Sequence, residues 1–137
     1  MDVIAGVQVL RQRVHADGRG SLVALEEEDG LPFPLERVFF MKVDKAGVER
    51  GGHANSCDEY IVPLTGSVVV EVDNGRESAR IRLSDHGRGL WVRAGILIHL
   101  REFEAGTTLL VCASARYDET RHFARAQPHL AARLCPA

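Results

Sequence analysis

The sequence predicts a single all-β domain, a closed or double-layered antiparallel sheet, and three observations carry that prediction. Short runs rich in β-branched and other apolar residues recur along the chain. Gly, Asn and Asp punctuate them at close intervals. Several runs alternate apolar with polar residues at the period of two that a strand imposes on its side chains. With 137 residues the chain has the size of one domain around one core, and no repeat, linker or low-complexity segment marks a second.

Taken in order, strands are expected over residues 7–11, 21–26, 37–43, 59–64, 67–73, 79–83, 89–92, 96–103 and 107–115. The separators Asp17-Gly18, Asp29-Gly30 ahead of Pro32, Thr65-Gly66, Asn74-Gly75 and Ala105-Gly106 include residues that tolerate positive φ, as tight turns require. Asn74-Gly75 is the strongest hairpin signal. On its N-terminal flank Val68, Val70 and Val72 face one way and Val69, Glu71 and Asp73 the other; on its C-terminal flank Ala79, Ile81 and Leu83 oppose Arg80 and Arg82. Residues 118–134 are expected to be helical, with Phe123, Leu130, Ala131 and Leu134 at Ala-rich spacing interrupted by Pro128, and to pack outside the barrel. The predicted organisation is a barrel over about 7–116 and a tail with a short helix over 117–137.

Composition narrows the function classes. Seventeen basic against nineteen acidic residues leave a net charge of −2 and no basic footprint for nucleic acid. Apolar runs such as 109–113 and 68–70 fall far short of the ~20 residues needed to span a bilayer. Residues 1–10 have neither a basic start nor a continuous apolar stretch, so they do not read as a secretory signal, and a cytoplasmic location is expected. Cys57, Cys112 and Cys135 are odd in number and match neither a zinc spacing nor a disulfide framework, so reduced thiols are expected. Cys112, inside LLVCA, reads as a core residue and Cys57 as a loop residue beside the segment considered next.

The segment with chemistry is Arg50-Gly51-Gly52-His53-Ala54-Asn55-Ser56-Cys57-Asp58-Glu59. Extended backbone puts His53 and Asn55 on one face, so both can point into a barrel. His53, one residue, Asn55, three residues, Glu59, six residues and Gly66 resemble the first motif of the cupins, with Asn55 where that motif carries a second His. The blocks ADGRGSLVALEE, PFPLERVFF, RGGHA, LTGSVVVEVDNG, GLWV and LLVCASARYDE are similar, in order, to the sugar 3,4-ketoisomerases among the cupins, over most of residues 17–119.

That resemblance implies a jelly-roll-like antiparallel barrel and an isomerase acting on dTDP-4-keto-6-deoxyglucose. The carbonyl moves from C4 to C3 without a metal or other cofactor, in deoxysugar biosynthesis, and the assembly is a homodimer. The reaction needs a proton removed beside a carbonyl and an enediol-like intermediate stabilised. His53, with a reference pKa of about 6.5, suits the acid/base role. The resemblance adds Asn55 and Glu59 to the catalytic set, Glu59 bonding the sugar or orienting His53. It makes Arg19 with Gly20, Arg37 and Arg50 phosphate contacts, Gly52 a point of close backbone approach, and Tyr60 and Trp91 stacking platforms.

The sequence also departs from the family pattern. Asn55 can hydrogen-bond but cannot act as a general base. Phe39 and Phe40 replace two tyrosines, and Ile98 stands where the family tends to have a His. His99 beside it faces outward unless a bulge returns it to the interior. A metal-dependent cupin calls for two or three His plus a carboxylate, and His53 and Glu59 are too few. His86, His122 and His129 lie in a turn or near the tail, and nothing in their spacing recruits them. Two readings stay open. One is the isomerase with His53 as its acid/base; the other is a cupin that binds a nucleotide sugar without turning it over, or acts on it differently, as an accessory protein or an epimerase.

Overall fold

Valine-rich alternation decides where each strand turns its side chains, and the strands then stack in two layers. A computed structural model describes residues 1–133. In chain order the strands are β1 (Asp2–Ile4), β2 (Val7–Arg11), β3 (His15–Asp17), β4 (Gly20–Leu22), β5 (Glu26–Glu27), β6 (Gly30–Leu31), β7 (Arg37–Val43), β8 (Arg50–Asn55), β9 (Glu59–Thr65), β10 (Val68–Asp73), β11 (Ser78–Leu83), β12 (Arg88–Val92), β13 (Leu97–Arg101), β14 (Thr107–Ala113) and β15 (His122–Phe123). A 3-10 turn (Tyr117–Glu119) precedes β15, and a helix α1 (Pro128–Arg133) follows it.

One sheet has the order β1-β2-β12-β9-β14-β7 and the other β11-β10-β13-β8-β15, all pairs antiparallel. Neighbours in space are mostly not neighbours in sequence, so the chain crosses between layers as a jelly roll does. Val68, Val70 and Val72 of the smaller sheet share one apolar cluster with Val7, Ile61, Leu90 and Val111 of the larger. Each such side chain taken fully out of water is worth about 1.5–3 kcal/mol. The cupin barrel expected from the sequence is the observed fold.

The hairpin at Asn74 forms, but its loop spans four residues, because Asp73 pairs with Ser78. Asn74 Oδ1 accepts from the amides of Arg76 and Glu77, and its Nδ2 donates to the Ala5 carbonyl, which ties the hairpin to the β1–β2 turn. Two expectations need correction. Residues 21–26 are not one strand but the end of β4, a break and the start of β5, since Gly20–Leu22 is exposed and has only β3 to pair with. The tail is not a helix over 118–134. It makes the 3-10 turn and an edge strand first, and only Pro128–Arg133 is helical; Leu134 lies outside the described residues. The Ala-rich spacing suits a helix, but pairing with β8 satisfies the backbone of residues 122–123 instead. Nor does α1 lie wholly outside: Ala131 enters the main core.

Among the described residues no helix is long and apolar enough to cross a membrane. Gly66, the last residue of the motif, has φ +74°, and a Cβ there would lie 2.7 Å from Thr107 Cα and closer still to its Oγ1. Gly47 also has positive φ (+83°) but open space around it. Gly47→Ala is therefore expected to cost about 1–2 kcal/mol from backbone strain alone, and Gly66→Ala to cost roughly 1–3 kcal/mol beyond that from the collision. Denaturant melts of both variants check this; equal losses would rule out the crowding.

Candidate functional site

Residues of both sheets enclose a cavity of about 350 Å³, lined by Phe39 and Met41, by Ile61 and Val111, by Ile98 and Leu100, and by the polar set Arg50, His53, Asn55 and Glu59. The strand β8 carries three of these polar residues because it contains a bulge. Leu100 pairs with Arg50, His99 with Gly51 and Ile98 with His53, so Gly52 is an extra residue on the β8 side. Arg50 and His53 are an odd number of positions apart and would face opposite ways in a regular strand; the extra residue brings both to the cavity. Gly51 and Gly52 have φ +85° and +90°, and a Cβ on Gly51 would sit 2.7 Å from the Ile98 carbonyl oxygen. Only glycine adopts this geometry without strain.

His53 stands exposed at the mouth. Partial burial, the neighbouring His122 and, to a smaller degree, His99 hold its pKa below the ordinary histidine value, against a hydrogen bond with the Gly51 backbone that raises it. These influences favour the neutral ring, which can accept a proton. Asn55 and Glu59 lie deeper. Burial pushes the Glu59 carboxyl up, opposed by a hydrogen bond from Asn55 and by the Arg37 charge. Asn55 is 6% exposed, and its Oδ1 is buried with no partner. An orphaned buried acceptor costs roughly 1–3 kcal/mol, so its presence in a cavity wall marks a place for a ligand donor.

The structure gathers His53, Asn55, Glu59 and Arg50 into the cavity, with Arg37 behind them. The Arg37 guanidinium lies 5.3 Å from the Phe39 ring and 5.5 Å from the Tyr117 ring. Gly52 serves the bulge and leaves room for His99, whose Nε2 is 3.6 Å from where a Gly52 Cβ would stand. Arg19 and Gly20 are not brought in: they sit on the exposed β3–β4 turn, where Arg19 donates to Asp17 at 2.7 Å.

Tyr60 and Trp91 require correction as stacking platforms. In β9 the cavity receives Glu59 and Ile61, so Tyr60 turns to the opposite face, where it is 0% exposed among Leu31, Phe33, Val62 and Cys112, with Trp91 packed alongside. Trp91 Nε1 donates to Asp58 Oδ2 at 3.0 Å, the Ala94 amide donates to Asp58 Oδ1 at 3.0 Å, and the Arg93 guanidinium covers the indole at 4.1 Å. These contacts pin β9 to the end of β12, and neither ring lines the cavity. His99 faces outward, opposite Glu71 of β10, while Ile98 lines the cavity. The thiols of Cys57 and Cys112 are buried and pushed up by burial, so neither is a thiolate near neutral pH.

The expectation that His122 stays apart from the site needs correction, because pairing of distant segments, not spacing, brings it in. His122, on β15, pairs with Asn55 and packs edge-on against His53, with ring centroids 5.1 Å apart. Among the described residues no group of three or more His, Cys, Asp or Glu side chains is placed to hold a metal ion, and the donor set here does not fit one.

A two-sheet antiparallel barrel with its polar groups converging on one cavity from the motif strand is a cupin. The chain belongs to the FdtA family described as WxcM-like, C-terminal, whose model matches residues 5–132. It is 36% identical over 105 residues to the TDP-4-oxo-6-deoxy-alpha-D-glucose-3,4-oxoisomerase of Aneurinibacillus thermoaerophilus, covering 76% of each chain. A 3,4-ketoisomerase from Thermoanaerobacterium thermosaccharolyticum, a double mutant in complex with TDP, superposes with TM-score 0.84 at 28% identity over 90% of both chains. The TDP-quinovose 3,4-ketoisomerase from Campylobacter jejuni also gives TM-score 0.84 at 28% identity, over 89% of this chain and 95% of its own.

Two outcomes follow from the burial. The Tyr60 hydroxyl is buried with no partner, so Tyr60→Phe is expected to stabilise the fold by about 1 kcal/mol in denaturant melts, and a loss of that size would contradict its idle role. Glu59 has its folded pKa raised, so its contribution to stability is present at low pH and is lost as pH rises through that value. Glu59→Gln removes the loss. Melts at pH 4 and pH 8 should show the variant gaining on wild type at the higher pH.

Proposed function

We propose that this protein is a sugar 3,4-ketoisomerase that converts TDP-4-keto-6-deoxyglucose to its 3-keto isomer, with His53 as the acid/base group. The observation that carries the reading is a neutral, solvent-reachable imidazole at the mouth of a cavity whose deeper wall presents an unpaired acceptor, in a chain whose relatives bear this activity. His53 takes the proton from C3 and delivers one to C4. Asn55 Oδ1 accepts a hydrogen bond from a sugar hydroxyl, and Glu59 holds the Asn55 amide through its carboxylate. Arg50, the cation lining the cavity, suits the diphosphate, and Arg37 adds positive charge behind Glu59.

The protein is further inferred to work in the cytoplasm, which its free thiols at Cys57 and Cys112 fit. A homodimer is inferred from β7, an edge strand of the larger sheet that exposes 52% of Val38 and 72% of Phe40. Asn55 favours a second reading, binding without turnover, because an amide carries no proton in acid/base exchange.

Incubation with TDP-4-keto-6-deoxyglucose in deuterated water, followed by NMR, separates the two. Isomerisation gives a 3-keto product and deuterium on the sugar carbons. TDP binding with neither change would establish the second reading. His53→Ala and His53→Asn are expected to lower turnover by about 10²-fold or more, the size of a general acid/base contribution, while leaving melting unchanged.

A further inference from the structure

The cavity mouth holds a second imidazole that the scheme above leaves unused. His122 reaches it because β15 adds to the free edge of β8, with His122 opposite Asn55 and Phe123 opposite Ala54. Ser56 fixes this register from both sides: its amide donates to the Arg121 carbonyl at 2.9 Å, and its Oγ accepts from the Arg121 amide at 2.8 Å. The ring of His122 then meets His53 edge-on, at 5.1 Å between centroids and 72° between planes. Tyr117 supports its other side at 5.6 Å, and Arg37 in turn covers Tyr117. His122 is exposed at the rim, so a bound sugar at His53 lies within its reach.

We propose that His122 is the second proton-carrying group of the site, acting on the oxygen-bound proton while His53 acts on the carbon-bound one. This rests on the isomerase reading. Moving a carbonyl from C4 to C3 transfers two hydrogens, one from C3 to C4 and one from O3 to O4. In the first half, neutral His53 takes the C3 proton, the electron pair forms the C3–C4 double bond, and protonated His122 gives a proton to O4. In the second half, His122 takes the proton from O3 as the C3 carbonyl forms, and His53 returns a proton to C4. Both rings end as they began, and no oxidant or reductant is needed. Asn55 cannot serve in this way, and Glu59 lies buried behind it, engaged with the Asn55 amide.

Two identical rings at this separation repel a second proton, and the neighbouring His122 indeed lowers the pKa of His53. The other titratable or charged groups around the pair are Arg50 on β8, His99 on β13, Glu59 on β9, Arg37 on β7, Tyr117 on the 3-10 turn and Arg121 beside His122.

The test compares wild type with His122→Gln and His122→Phe on TDP-4-keto-6-deoxyglucose in deuterated water. NMR follows both deuterium entry at C3 of recovered substrate and formation of the 3-keto product. Phe keeps an aromatic edge against His53 but carries no proton. Both variants are expected to convert substrate about 10²-fold more slowly. Their C3 exchange should fall far less, so the ratio of conversion to exchange drops at least tenfold. A parallel fall in both rates, or wild-type conversion by His122→Phe, would overturn the proposal and leave His122 as a support for the His53 ring. If wild type neither exchanges nor converts the sugar, the isomerase reading fails first and this proposal with it; normal conversion by His122→Gln sinks this proposal alone.

Discussion

The site depends on the extra residue in β8. A strand alternates its side chains strictly, so Arg50 and His53 cannot both face the cavity unless one position is absorbed between them. Gly51 and Gly52 absorb it, both at positive φ, with Gly51 pressed against the Ile98 carbonyl. The same irregularity settles the partner strand. Ile98 and Leu100 of β13 stay on the cavity side, His99 stays on the outer face against Glu71, and Gly52 leaves the space that the His99 ring occupies. Bulges of this kind re-aim side chains next to functional sites.

From the bulge outward, the polar groups are arranged by depth. His53 meets solvent, Asn55 and Glu59 are buried, and the carboxylate is offset by the Asn55 amide and the Arg37 charge. Burial raises Glu59 while burial and His122 lower His53, so the two groups are pushed in the directions that favour their neutral forms. A cavity of mostly apolar lining with a few polar groups converging on one side suits a sugar ring, whose hydroxyls need partners and whose carbons do not.

Much of the barrel was legible in the sequence because its strands state their faces plainly. The valines of β10 and the Ala79, Ile81 and Leu83 series of β11 follow period two, and Asn74 marks their turn. His53 and Asn55 were legible as a pair because alternation puts them on one face, and Glu59 joined them through the resemblance to the cupin motif. The faces of Tyr60 and Trp91 were not. Both lie in runs apolar on both sides, where period two carries no information, and only the direction of Glu59 and Ile61 decides that Tyr60 points away. Arg50-Gly51-Gly52 has little strand propensity and becomes a strand through its pairing with β13. The tail departs from its expected helix for a related reason: its alanines favour a helix locally, while the free edge of β8 offers residues 122–123 a backbone ladder.

That same edge explains why His122 could not be found from spacing. Its place beside His53 comes from strand addition between segments far apart in the chain, fixed by the two Ser56–Arg121 hydrogen bonds and by no local pattern. The consequence reaches back to Asn55. An amide there satisfies the buried Glu59 carboxylate and keeps an acceptor free for a hydroxyl, two tasks that a neutral imidazole performs only by giving up its single N–H to the carboxylate. Asn55 thus bonds the buried carboxylate, while β15 brings the His122 imidazole to the adjacent, paired position of the same sheet edge, against the His53 ring.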